Sequence, residues 1–167
     1  ILGLTLQTRP EEILRALFEA VSFAVKLIIE EHKKNGVEVK RLLATGGIAE
    51  KNEVFVQIFA DVIGCDVLVP EGEQICALGS AVYGAVAAGR AGGGFDTLSE
   101  AIEKMACKKV KRYVPNEDYN RIYRELFAQY RRLHDYFGRG QNDVMKYLLG
   151  RKKTITMRKS DELRQIL

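Results

Sequence analysis

Residues 41–69, RLLATGGIAEKNEVFVQIFADVIGCDVLV, contain the pattern that decides the fold. The apolar run at residues 41–45 ends in two glycines, as a buried strand does when it enters a tight turn. Apolar residues then recur at intervals of three and four and predict a helix over about residues 51–63. Residues 66–69 are predicted to form a second strand. Strand, helix and strand in this order form the unit from which parallel sheets are built.

Further helices are predicted on both sides of this unit. Before it, Thr8 and Glu11 form a capping box for a helix over about residues 10–34, which is expected to bury one apolar face. That face consists of Ile13, Leu14, Leu17, Phe18, Val21, Val25, Ile28 and Ile29. After the unit, helices are predicted over about residues 75–89, 97–106, 116–136 and 143–149. The predicted fold class is therefore α/β, with a short parallel sheet, several helices and a helix-rich C-terminal part.

The composition is that of one globular domain. With 47% hydrophobic and 29% charged residues, the 167-residue chain can bury a sizeable core. No apolar run reaches the roughly 20 residues that span a bilayer, so no membrane partner is expected. Residues 151–167 hold six Lys or Arg against two Asp or Glu, which accounts for the whole net charge of +4. We expect a basic, flexible tail there and no specific nucleic-acid binding.

The cysteines and the first residue indicate the origin of the chain. Cys65, Cys76 and Cys107 are too widely spaced for a disulfide framework or a metal-binding pair, which fits a reducing cytoplasm. The chain begins at Ile1 rather than at a methionine, and we expect that it is cut from a longer protein.

The Gly46-Gly47 turn is a candidate for contact with a nucleotide. A strand that ends in this turn and leads into a helix presents free backbone N–H groups, where a phosphate can bind. A Cβ atom at either glycine would hold the nucleotide away from the main chain. Asn52, one turn into the predicted helix, offers a donor and an acceptor that suit a ribose hydroxyl or an adenine edge. Tight turns also use glycine for conformational reasons alone, so the turn by itself supports both interpretations equally.

A second candidate is the helix over residues 75–89, which is small on nearly every face. Small residues such as Ala77 and Gly79 allow a ligand or another backbone to approach closely. Taken alone, this pattern favours close helix packing over a ligand site.

Three stretches of the sequence together resemble a known family. GGIAEKN at residues 46–52, QIFADVIGCDVLVP at 57–70 and ALGSAVYGAVAAG at 77–89 look like the C-terminal domain of the FGGY carbohydrate kinases, which share the actin-like ATPase fold. The resemblance runs from Gly3 to about Gly150. The flanking stretches at residues 3–6, 15–30 and 130–148 are most similar to the members that phosphorylate ribulose.

The resemblance implies a partial ribonuclease-H-like domain over residues 1–150, without the N-terminal lobe and first hairpin, followed by the basic tail at 151–167. It implies ATP and Mg²⁺ as cofactors and a ketopentose, L-ribulose, as the acceptor of the terminal phosphoryl group. The residues that it places at the nucleotide are Gly46, Gly47, Asn52, Ala77 and Gly79. The two glycines would approach the phosphate and ribose, Asn52 would lie beside the adenosine, and the last two would form a neighbouring wall.

Other residues of the family pattern are expected to have no direct part in the chemistry. Gln57 and Asp61 match the pattern but are expected to support the fold or contacts between lobes. The family's catalytic aspartate and most Mg²⁺ ligands belong to parts that this chain lacks, so no catalytic or metal-binding residue is nominated. We therefore expect the chain alone to be inactive, and its uncovered sheet edge to favour self-association.

Two alternatives remain open at this point. One is a different FGGY kinase, acting on xylulose, glycerol or gluconate. The other is a non-catalytic, actin-like interaction module.

Overall fold

The computed structural model describes residues 1–72, 74–140 and 142–154. The helices and strands are α1 (Pro10–Lys34), β1 (Arg41–Leu43), α2 (Gly47–Lys51), α3 (Glu53–Ile63), β2 (Asp66–Pro70), α4 (Ile75–Ala88), α5 (Leu98–Met105), β3 (Val110–Tyr113) and α6 (Glu117–Gly138). A short 3₁₀ helix covers Arg90–Gly92, and residues 144–154 are helical. The chain forms two units, Ile1–Tyr123 and Arg124–Leu167, and the first contains the sheet.

The sheet has three strands in the order β1, β2, β3. β1 and β2 pair in parallel with Leu42 opposite Val67, which confirms the predicted parallel pair. β3 pairs antiparallel to β2 with Tyr113 opposite Val67, so the sheet is mixed rather than parallel. The sequence did not predict β3 because only Tyr113 of its four residues is buried, and the strand therefore lacks an apolar run.

The core lies between the sheet and α3. Val56 and Ala60 of α3 pack on Val67, Val69 and Tyr113 of the sheet, and all five are buried. The apolar residues of α3 repeat at helical spacing, so they lie on one side of the helix and face the sheet. Val67 and Val69 are two residues apart on β2, so their side chains lie on the same face of the sheet, towards α3.

α1 covers α3 from outside and is fixed to the start of α6. The rings of Phe18 and Phe55 meet edge to face, with their centroids 5.4 Å apart. The Tyr123 hydroxyl accepts a hydrogen bond from the Arg15 guanidinium and donates one to Glu19, both at 2.9 Å. Burial raises the pKa of Tyr123, so this phenol stays protonated at neutral pH.

The predicted capping box of α1 is wrong by one residue. The Thr8 hydroxyl accepts from the Thr5 backbone N–H at 2.9 Å and so closes the preceding turn. The cap is Arg9, whose N–H donates to the Glu12 carboxylate at 2.8 Å. A capping box requires a Glu or Gln at the third helical position. Because Pro10 is the first residue of the helix, Glu12 occupies that position.

The prediction that α1 buries a single apolar face is also wrong. Phe23, Ile29 and the apolar stem of Lys26 are buried, whereas Leu14, Leu17, Val21 and Ile28 are exposed. The two sets lie on different sides of the helix, because the sequence pattern contains two apolar stripes and α3 covers only one of them.

The predicted helix over residues 51–63 corresponds to α3, and the short helix α2 before it was not predicted. α2 starts earlier, at Gly47, and ends at Lys51, and α3 starts at Glu53. The backbone of Asn52 leaves helical geometry, with φ −129° and ψ 85°, and separates the two. The predicted end at Gly64 is confirmed, since Gly64 has the left-handed conformation typical of a helix C-terminus.

The second unit is helical in the part that the structure describes. It contains the remainder of α6, in which the Phe127 and Tyr130 rings stack, and the helix at residues 144–154. The predicted flexible tail at residues 151–167 lies outside the described residues from position 155 onward. Among the described residues, no helix is long and apolar enough to cross a membrane.

Candidate functional site

The turn after β1 leaves open space beside both of its glycines. Gly46 has a φ of 99°, a conformation that only glycine adopts readily, whereas Gly47 does not have positive φ. A Cβ atom built on either residue would meet no heavy atom of the described chain within 4 Å. The main chain of this turn is therefore uncovered on the side of both missing side chains.

A carboxylate already occupies one donor of the turn. The Gly46 backbone N–H donates to Oε1 of Glu50 at 3.3 Å. α2 is only five residues long, so its dipole offers little attraction for an anion. The turn therefore presents negative charge where a phosphate was expected. The sequence analysis did not assign this role to Glu50. The available signal was its spacing, because an acidic side chain four residues after Gly46 can accept a hydrogen bond from the Gly46 N–H.

Asn52 joins α2 to α3 and uses its acceptor to do so. Its Oδ1 atom accepts from the Phe55 backbone N–H at 2.9 Å, which caps the N-terminus of α3. Its Nδ2 group makes no hydrogen bond to the described residues, and the side chain is half-buried. Only the donor half of the predicted donor–acceptor pair is thus available to a ligand.

The start of α4 meets the glycine turn at the carboxyl ends of β1 and β2. Thr45 Oγ1, just before Gly46, lies 4.0 Å from Cys76 Sγ in the first turn of α4. Ala77, the next residue, is exposed. The two segments that the sequence nominated separately therefore border one edge of the sheet, because β1 and β2 run parallel and end side by side.

Gly79 belongs to an apolar groove on the face of the sheet opposite α3. The groove has a volume of about 260 Å³ and lies between the sheet, α4 and α5. Leu43, Leu78 and Val82 line it together with Gly79. A Cβ atom at Gly79 would meet nothing within 4 Å, so close packing within the described chain does not explain this glycine.

Gln57 and Asp61 contact the segment that leads into α6 and the first turn of that helix. Oδ1 of buried Asp61 accepts from the Gln57 side chain and from the Asn116 backbone N–H, both at 2.8 Å. Its backbone carbonyl accepts from the Asn120 side chain at 2.7 Å. These contacts confirm the expectation that the two residues support the fold.

An ion pair between elements lies next to Asn52. Lys111 Nζ of β3 lies 2.5 Å from Oε1 of Glu53, the first residue of α3. The sequence contained no signal for this pair, because β3 itself was not predicted. The pair connects the start of α3 with the third strand, and because both side chains are exposed its contribution to stability is small.

The described residues offer no metal centre. No group of three or more His, Cys, Asp or Glu side chains among them could hold a metal ion. Cys65, Cys76 and Cys107 are free thiols, and burial raises the pKa of Cys65. The glycine turn is thus an open stretch of main chain that lies beside Glu50 and Asn52.

Known proteins share both the sequence and this architecture. Residues 1–88 match the model of the FGGY family of carbohydrate kinases, C-terminal domain. A ribulokinase of Shouchella clausii is 49% identical over 148 residues, which is 89% of this chain and 26% of the relative. A ribulokinase of Staphylococcus aureus (strain Newman) is 35% identical over 146 residues, 87% of this chain and 26% of the relative. The chain thus spans about a quarter of the length of the curated relatives.

Solved structures give the same result. Gluconate kinase from Lactobacillus acidophilus superposes with a TM-score of 0.62 at 25% identity, over 80% of this chain and 26% of that one. Plasmodium falciparum glycerol kinase with ADP superposes with a TM-score of 0.56 at 22% identity, over 76% of this chain and 25% of that one. The predicted α/β, actin-like fold is confirmed. The chain therefore belongs to the FGGY family of carbohydrate kinases, and its first 88 residues match that family's C-terminal domain.

Proposed function

We propose that the turn from Gly46 to Asn52 and the start of α4 form one wall of an ATP site in a sugar kinase. The observation that carries the proposal is the meeting of the two segments, through Thr45 and Cys76, at the carboxyl ends of the parallel strands. In open α/β sheets, ligands bind in the crevice at that edge. The Plasmodium falciparum relative with ADP supports a nucleotide as the ligand.

The chemistry of the turn suits the nucleoside better than the triphosphate. The Glu50 carboxylate at Gly46 N–H repels a phosphate but accepts a hydrogen bond from a ribose hydroxyl. The free Nδ2 group of Asn52 donates to an adenine nitrogen or a ribose oxygen. Gly47, with no side chain, lets the nucleoside approach the main chain, and Ala77 and Gly79 extend the wall along α4.

The acceptor of the phosphoryl group is L-ribulose in this proposal. The relatives from Shouchella clausii and Staphylococcus aureus are both named ribulokinase, and their identity to this chain extends over most of its length. The reaction transfers the terminal phosphoryl group of ATP to a sugar hydroxyl and gives ADP and L-ribulose 5-phosphate. Xylulose and gluconate kinases have the same fold, so these sugars are the competing acceptors.

This chain alone does not catalyse the transfer in this proposal. Phosphoryl transfer requires a group that orients the acceptor hydroxyl and Mg²⁺ ligands near the terminal phosphate. No residue of the described chain is assigned to either role, so both belong to the remainder of a longer cytoplasmic kinase. When bound, Mg²⁺ would neutralise charge on the phosphates, which lie away from the Glu50 turn.

A coupled ADP-release assay tests the function. The longer kinase that contains this chain is assayed with L-ribulose, xylulose, glycerol and gluconate, and the 167-residue chain is the control. We expect the highest kcat/KM with L-ribulose and no turnover by the chain alone. A higher kcat/KM with another sugar would replace the proposed acceptor. Turnover by the isolated chain would contradict the proposal that this chain alone is inactive.

Self-association through the sheet edge remains part of the proposal. β1 has a strand neighbour on one side only within the described sheet, and Leu43 at its end is 63% exposed. Exposed strand edges with apolar side chains pair readily with a second chain. Sedimentation equilibrium of the unaltered chain and of Leu43→Glu tests this edge, and we expect the substitution to weaken the association. A monomer at all concentrations, or unchanged association in Leu43→Glu, would contradict a contact through the edge.

A further inference from the structure

The segment between β2 and α4 is fastened to the residues around the start of β3. The Glu71 backbone N–H donates to the Lys109 carbonyl at 2.9 Å, which extends the pairing of the two strands by one residue. The thiol of half-buried Cys107 lies 3.2 Å from the Glu71 carbonyl and 3.4 Å from the Lys109 carbonyl. A thiol has one hydrogen to donate, and both oxygens are within its reach. Cys107 thus bridges the two chain segments that meet at this end of the sheet.

Gly72 lies against the Cys107 thiol and against the first residue of α4. A Cβ atom at Gly72 would be 3.5 Å from Cys107 Sγ and 2.9 Å from Cδ1 of Ile75. Glycine therefore lets the main chain approach both side chains closely. Cys107 and Ile75 also line the same apolar groove. Direct contacts thus connect Cys107, through Gly72, with the start of α4.

Gln74, the residue before α4, has a backbone conformation that its surroundings must hold. Its φ of 55° and ψ of 39° are left-handed, and among the described residues no other non-glycine residue has a positive φ. Such a conformation persists only where the adjoining structure fixes it. The Gln74 carbonyl accepts from the Leu78 N–H at 2.9 Å, so the first turn of α4 is built directly on this residue. The contacts before α4 therefore determine where the helix begins.

We propose that Cys107 is a positioning residue, whose thiol holds the segment before α4 and so sets the distance between the first turn of α4 and the glycine turn. Cys76, the second residue of α4, lies 4.0 Å from Thr45 at that turn. A movement of Gly72 changes this contact, because Ile75 and Cys76 are successive residues of one helix. The consequence for ATP binding rests on the proposed function, in which the start of α4 is part of the nucleotide wall.

Disulfide formation in the 167-residue chain measures this distance without ATP. Thr45→Cys is treated with oxidised glutathione, and peptide mass spectrometry follows the 45–76 bond separately from bonds to the other cysteines. In this background Cys107→Ala removes the donor and is expected to slow formation of the bond about threefold or more. Cys107→Ser keeps a donor and should keep the rate. Cys65→Ala is the matched control, because it removes another half-buried thiol of the same unit, and it should leave the rate unchanged.

Three results would overturn the positioning role. The first is an unchanged rate in Cys107→Ala. The second is equal slowing by Cys107→Ser, which would show that the hydrogen bond is not the cause. The third is equal slowing by Cys65→Ala, which would show that loss of any half-buried thiol has the same effect.

ATP kinetics of the longer kinase test the consequence for binding. With Thr45 unaltered, Cys107→Ala is expected to raise the KM for ATP about threefold and to leave kcat unchanged, because the start of α4 contributes to binding and not to the chemical step. Cys107→Ser should keep the KM. Slower bond formation together with an unchanged KM would support the position of α4 but contradict its place in the nucleotide wall. An unchanged rate of bond formation would instead contradict the role of Cys107 and leave the nucleotide wall unaffected.

Discussion

Asn52 caps α3 with the oxygen of its amide group, and we propose that the nitrogen of the same group contacts the nucleotide. Oδ1 caps α3 at Phe55, while Nδ2 has no partner in the described chain. Removing the side chain would therefore change two properties at once, and a loss of activity alone would not show which one mattered. A substitution that keeps the oxygen and removes the amino group separates them.

Asn52→Asp and Asn52→Ala are expected to differ in this way. The aspartate keeps the cap, so thermal unfolding should be nearly unchanged, but the KM for ATP should rise about 3–10-fold through loss of the donor. The alanine should lose about 1 kcal/mol of stability as well. Unfolding curves and ATP kinetics of the longer kinase measure both effects. An unchanged KM in Asn52→Asp would remove Asn52 from the nucleotide wall.

The two glycines of the turn are expected to respond differently to valine. Gly47→Val adds a side chain to open space without backbone strain, so the KM for ATP should rise about tenfold or more while stability changes little. Gly46→Val forces a φ of 99° on a branched residue and should cost about 1–3 kcal/mol of folding stability. If Gly47→Val left ATP kinetics unaltered, the turn would be a conformational feature only.

The position of a residue at the turn could be predicted where it depends only on neighbouring residues in the chain. The sequence placed the glycine turn correctly, because a strand followed by two glycines is a local pattern. It did not assign Glu50 to the Gly46 N–H, or pair Lys111 with Glu53, because such contacts depend on side-chain direction and on a distant strand. The sequence therefore placed the glycine turn correctly but did not predict the charge beside it.

At the scale of elements, strongly periodic segments were predicted well and short ones were not. α4 and α6 lie where the sequence placed them, within about two residues at each end. β3 was missed because it is exposed and basic, and its partner β2 is more than 35 residues earlier in the chain. α2 was not predicted because its five residues, Gly47–Lys51, are too few to show a helical periodicity of apolar residues.

Asp61 is the residue that fastens α6 to α3. Its carboxylate satisfies the Gln57 side chain and the Asn116 N–H in a buried position, where an unpaired donor is costly. Asp61→Ala is expected to lower the free energy of unfolding by about 2–4 kcal/mol, and Asp61→Asn by less, since its oxygen still accepts. Urea denaturation of the 167-residue chain measures this. A loss below about 0.5 kcal/mol in Asp61→Ala would show that the contacts are not coupled to folding.

At the scale of the whole molecule, the sequence predicted an uncovered sheet edge but not which apolar residues of α1 are exposed. The periodicity of α1 identifies apolar positions but not which of them a neighbour covers, so two stripes were taken as one face. The groove beside Gly79 and the edge of β1 expose further apolar groups. These surfaces accompany a chain that spans only about a quarter of its ribulokinase relatives.

Photolabelling of the longer kinase with 8-azido-ATP tests the central claim most directly. After irradiation and digestion, peptide mass spectrometry identifies the labelled segments, with and without excess ATP. We predict ATP-suppressed label in the peptides that carry residues 45–54 or residues 75–80. Label confined to other segments of this chain, or label in these peptides that excess ATP does not suppress, would contradict the nucleotide wall.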